Sequence, residues 1–105
     1  MTTSQAASAY EDVAFSFEDD ARVVVNENQL YVDGTIFAFL DNDDLVVELS
    51  ESRVDDLAQR GVAARFTSHH HPARNWIRVA DQQLWPELAR ESHAFVGEPA
   101  VGGES

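Results

Sequence analysis

The sequence predicts an α+β fold: a single small domain in which an antiparallel sheet of about four to five strands carries two or three helices. Three observations lead there. Two apolar runs of strand-forming type, Thr35–Leu40 and Leu45–Leu49, are joined by the polar turn formers Asp41-Asn42-Asp43-Asp44. The dipeptide Asp33-Gly34 just before them suits a tight turn, because both central positions of a type I′ turn need positive φ. A helix pattern follows, opened by Ser50 as N-cap with Glu51 behind it and closed by Gly61.

Taken in order, Met1–Ala9 is small and polar and reads as a flexible N-terminus. Tyr10–Asp20 alternates Val13, Phe15 and Phe17 with polar neighbours, a period of two that favours an extended segment over a short helix. Arg22–Val25 and Gln29–Val32 read as strands on either side of the turn Asn26-Glu27-Asn28. Thr35–Leu40 is apolar on both faces, with Ile36, Ala38 and Leu40 on one and Phe37 and Phe39 on the other, so it should be central and covered on both sides. Leu45, Val47 and Leu49 face one way and Val46 and Glu48 the other. Within the helix after Ser50, Val54, Leu57 and Ala58 form the buried stripe. Val62–Phe66 is a further short strand, Thr67–Arg74 a loop, and Asn75–Val79 a strand that alternates Trp76 and Arg78 with Ile77 and Val79. Pro86 near a first helical turn, with Leu88, Ala89, Ser92, Phe95 and Val96, marks a last helix ending at Gly97. The domain is therefore expected over residues 10–96, with 97–105 a disordered tail.

At 105 residues and 44% apolar content the chain supports one core. Absence of cysteine excludes disulfides, thiolate zinc sites and a cysteine nucleophile, and fits a reducing compartment. Met1–Ala9 has neither positive charge nor an apolar h-region, so no signal peptide is expected, and no apolar run nears the ~20 residues of a membrane helix. A cytoplasmic location follows as the expectation, for a monomer or a homodimer. Nineteen acids face seven bases, all arginine, for a net charge of −12. That balance repels phosphate backbones and argues against direct duplex binding; solubility or salt tolerance explains it without a partner. Residues 1–60 hold 14 acids and three arginines, whereas residues 61–96 hold four arginines and three acids. Any anion-binding surface should lie in the second half.

Among chemistry-bearing residues, His69-His70-His71 stands out, since imidazole is a common metal ligand. Neighbours on an extended segment point to opposite sides, so His69 and His71 share a face and a third ligand would have to be His93 or an acid. A solvated loop before Pro72 is the plainer interpretation. Asp41, Asp43 and Asp44 lack the glycine and distal glutamate of a calcium loop, and turn chemistry accounts for them. No nucleophile elbow, phosphate-cradling glycine loop or His-Glu-x-x-His motif is present. No catalytic residue and no cofactor is assigned, and an enzyme is not expected. Arg65, Arg74, Trp76 and Arg78 form the ligand- or anion-binding candidate, because an aromatic ring beside guanidinium groups can stack on a base or grip an anion. The alternative is that Trp76 is core and the arginines offset the acidic first half.

Leu30–Leu40, Leu45–Leu49, Arg53–Leu57, Gly61, Trp76–Val79 and Trp85–Val96 together resemble the TfoX N-terminal domain and MmcQ/YjbR-like superfamily. Those proteins carry a Gly-Lys-(Ile/Met)-Phe-Ala strand, a Val-Lys-Leu strand, a helix ending in glycine, a Trp-Val-x-Val strand and a closing helix. The resemblance covers roughly residues 29–96 and implies a compact α+β domain with a loose link to DNA-related regulation of the competence type. Thr35 and Glu48 stand where the family usually has lysine, which removes positive charge from the sheet, and the family's N-terminal helical segment is expected to be short or absent. The function expected is that of a non-catalytic interaction module binding a protein or a small ligand. A nucleic-acid-associated regulator using an Arg/His face, with His69–His71 beside the arginines, is the alternative.

Overall fold

The computed structural model describes residues 5–69, 71 and 74–97. Its elements are helix α1 (Gln5–Phe15), strands β1 (Val23–Val25), β2 (Gln29–Val32), β3 (Thr35–Asp41) and β4 (Asp44–Glu48), helix α2 (Glu51–Gln59), strands β5 (Ala64–Phe66) and β6 (Trp76–Val79), a 3-10 turn at Gln82–Leu84, and helix α3 (Trp85–Gly97). The six strands form one antiparallel sheet in the order β1-β2-β3-β4-β6-β5. The fold is α+β, with one strand more than the sequence suggests. Both three-residue edge strands, β1 and β5, fall inside segments already read as strands, Arg22–Val25 and Val62–Phe66.

The turn chemistry acts as expected. Asp33 and Gly34 have φ of 52° and 83°, the two positive values a type I′ turn requires. The β3–β4 loop is shorter than Asp41–Asp44: Asp41 and Asp44 pair across the ladder, leaving Asn42 and Asp43 as the turn, with Asn42 at φ 55°. Ser50 caps α2 by accepting from the Arg53 N–H, and Gly61 follows the helix at φ 72°.

All three helices lie on one face of the sheet. Leu30 and Val32, Phe37 and Ala38, Leu45 and Val47, and Ile77 and Val79 point to them and are almost wholly buried. From the helices come Tyr10 and Val13, Val54 and Leu57, and Trp85, Leu88 and Ala89. Each such aliphatic side chain contributes roughly 1.5–3 kcal/mol of burial. Polar tips are satisfied: the Trp85 Nε1–H donates to the Val79 carbonyl at 2.9 Å, and the Tyr10 hydroxyl to that of Asn26 at 3.0 Å. Burial pushes the Tyr10 hydroxyl well above the ordinary tyrosine pKa.

Two expectations are corrected. The segment read as flexible terminus plus extended chain is helical from Gln5 to Phe15. Ala6, Tyr10, Val13, Ala14 and Phe17 are all buried, which is a helical stripe. Phe15, one member of the period-two pattern, is 72% exposed and belongs to no core. The N-terminal helical segment expected to be short or absent is thus an 11-residue helix packed on α3.

The second correction concerns β3. A bulge lies opposite Leu30 and Tyr31, which pair with Ala38 and Ile36 and leave Phe37 without a partner on β2. Phe37, Ala38 and Leu40 therefore share the helix side, while Ile36 and Phe39 go to the other. The bulge is fastened from both faces. Ser92 of α3, fully buried, donates its hydroxyl to the Phe37 carbonyl at 2.8 Å, and the Arg74 guanidinium donates to the Ile36 carbonyl at 2.5 Å. Of the residues outside this description, His70, part of the histidine run, and the predicted tail beyond Gly97 are among those named above.

Candidate ligand-binding face

Strand alternation sends a second set of side chains away from the helices. They are Gln29 and Tyr31 of β2, Ile36 and Phe39 of β3, Val46 and Glu48 of β4, Phe66 of β5, and Trp76 and Arg78 of β6. Among the described residues no helix packs there. Ile36, Val46 and Trp76 are buried together, and Tyr31, Phe39 and Phe66 pack on them while keeping some exposure. Phe39 meets Phe66 and Trp76 edge-on, with centroids 5.8 and 5.2 Å apart.

The expected arginines fall into two groups. Arg74 stacks over Trp76 at 4.8 Å and ion-pairs with Glu48, whose side chain is only 13% exposed. Arg78 stacks over Phe66 at 4.9 Å and bridges Asp41 at 2.5 Å and Asp44 at 3.1 Å. The hydrogen bond to Asp41, with that to Asp44 beside it, holds the Arg78 guanidinium above its ordinary pKa. Thus Asp41 and Asp44 serve as arginine ligands rather than only as turn formers. Arg74, Trp76 and Arg78 are brought together, but Trp76 is 1% exposed and forms the floor beneath Arg74 instead of an open stacking plate. Arg65 is elsewhere, paired with Asp55 on the rim of α2.

Among the described residues the histidines do not converge. His69 is exposed, while His71 leans on Trp76 with ring centroids 6.1 Å apart, and its carbonyl accepts from Trp76 Nε1 at 3.3 Å. His93 lies across the sheet on α3, stacked on Phe17 at 5.2 Å with Nε2 2.9 Å from Asp20 Oδ2. Asp20 itself is held below the ordinary carboxylate pKa, first by the Arg22 backbone N–H and then by His93. Among the described residues no group of three or more His, Asp or Glu is placed to hold a metal ion. No helix among them is long and apolar enough to cross a membrane.

Between the open sheet face and the segment carrying Thr67, Ser68, His69, His71 and Arg74 lies a groove of about 910 Å³. Tyr31, Ile36, Phe39 and Phe66 are among its apolar lining, and Asn28, Gln29, Asp41, Ser68 and Arg74 among its polar groups. Such a volume and such a mixture suit a small-molecule site. Of these residues the sequence had singled out only Arg74 and the histidines. The available signal for the rest was the two-sided apolarity of β3, which demanded a second cover without saying that it would be a loop and a layer of aromatics. Comparison of the chain with protein-family models, with curated proteins and with solved structures finds no match.

Proposed function

We propose that the protein is a non-catalytic interaction module that takes its ligand, a small molecule or a side-chain-bearing segment of another protein, on the open face of the sheet. The observation that carries this is the groove of about 910 Å³ whose aromatic surface is left unroofed by helices. A family relationship to the TfoX N-terminal and YjbR-like proteins belongs to the same proposal. The succession of hairpin, glycine-terminated helix, Trp-Ile-Arg-Val strand and closing helix supports it, as does the presence of α1. A cytoplasmic setting is proposed with it, on the absence of cysteine. Nucleic-acid binding stands second, because Arg65, Arg74 and Arg78 each face an acid that offsets the charge a phosphate would need.

The test is a screen of small aromatic compounds and short peptides by amide correlation spectra of the labelled chain. Shifts should gather on Tyr31, Ile36, Phe39, Phe66 and Arg74, and Phe39→Glu should abolish them. Hits that gather elsewhere, or that survive Phe39→Glu unchanged, would remove the open face from consideration.

A further inference from the structure

Arg74 and Gln29, which both line the groove, each keep a donor group with no acceptor among the described residues. Arg74 spends Nε and Nη2 on Glu48 and the Ile36 carbonyl and lies flat on Trp76, and its Nη1 has no acceptor among the described residues. The Gln29 side-chain oxygen accepts from the Tyr31 hydroxyl at 2.9 Å, which orients the amide. Its NH2 group likewise has no acceptor among the described residues. Donors held this way favour a ligand that brings acceptors, since little ordering remains to be done on binding.

The charge of Arg74 is meanwhile cancelled by a nearly buried Glu48. An entering carboxylate would add a second negative charge to that pair, on a chain of net charge −12 and close to Asp41. A carbonyl takes the same hydrogen bonds without that repulsion. The remaining surface, Tyr31, Phe39 and Phe66, suits the faces and edges of a flat ring.

We propose that the groove binds a neutral, planar aromatic ligand bearing carbonyl-type acceptors and discriminates against the corresponding carboxylate. This rests on the open face being the binding surface, as proposed above. The test uses the labelled full chain at neutral pH with a matched pair of probes, quinoline-6-carboxamide and quinoline-6-carboxylate. The amide should shift Tyr31, Phe39 and the Arg74 Hε resonance and bind about tenfold tighter than the carboxylate. Arg74→Lys keeps the positive charge but has no planar N–H pair, and should weaken amide binding about fivefold or more. Gln29→Leu, which leaves the Glu48 pair untouched, should weaken it about threefold or more and serves if the arginine variant does not fold.

Equal or tighter binding of the carboxylate on the same resonances would overturn the ligand class and leave the open face standing. Silence of the groove resonances toward both probes up to about 5 mM would also overturn the ligand class, the wider screen then deciding about the face. Amide binding unchanged in Gln29→Leu and in a folded Arg74→Lys would overturn the assignment of the two donors.

Discussion

Ser92→Ala is the sharpest test of how the open face is built. The Ser92 side chain is fully buried, and its hydroxyl is the partner of the Phe37 carbonyl at the bulge of β3. Removing it takes away one hydrogen bond to the buried Phe37 carbonyl, a net loss of about 0.5–1.5 kcal/mol, with only a one-atom void to add. Taking about 1 kcal/mol, and an unfolding entropy near 2.1 cal/mol/K per residue, the Tm of a chain this long falls by about 5 °C. Urea unfolding followed by tryptophan fluorescence should show the midpoint lowered and the slope unchanged. Amides of Ile36 and Phe39, on the opposite face of the same strand, should shift with it, because the bulge decides which way those side chains point. A loss under about 0.5 kcal/mol, with Ile36 and Phe39 undisturbed, would refute the claim that Ser92 holds the bulge.

Two further outcomes follow from ionisation. Tyr10 has its pKa raised by burial, so the unfolded chain ionises first and stability should decline as pH rises above about 10. Absorbance at the phenolate band should show Tyr10 titrating only as the chain unfolds, and Tyr10→Phe should remove that part of the alkaline loss; titration of Tyr10 in the folded chain would contradict it. Asp20 and Asp33 have folded pKa values below the model-peptide value of 3.8, Asp20 chiefly through the Arg22 backbone N–H and Asp33 chiefly through the Arg22 side chain. Their contribution is present above about pH 4 and lost as pH falls through the lowered values. Asp20→Asn should flatten the fall in Tm below about pH 4, and an unaltered acid limb in that variant would count against the contact.

Local signals were legible in the residues themselves. Asp33-Gly34 must turn tightly because few other pairs accept two positive φ values, and Ser50 and Gly61 mark the helix ends because a hydroxyl and a missing Cβ answer the needs of those positions. The charge asymmetry, the lack of cysteine and the pairing of the β3–β4 hairpin depend on composition or on neighbours within a few residues, so they too could be read directly. Where two local periods competed, as in the segment of Tyr10, Val13, Phe15 and Phe17, the choice fell to packing: the helical stripe finds α3, and Phe15 finds nothing.

The hairpin strand β3 shows what lay beyond that reach. Its alternation predicted Phe37 and Phe39 on one face, yet a single extra residue in the ladder sends them to opposite faces. At that bulge Ser92, 55 positions away, donates to the Phe37 carbonyl, and Arg74, 38 positions from Ile36, donates to the Ile36 carbonyl. The sequence by itself determined the strands, the turns, the ends of α2 and a net charge of −12. Only the tertiary structure decided that the arginines are already paired, that Trp76 is floor and not platform, and that an aromatic groove remains open, because each of these depends on contacts between residues far apart in the chain.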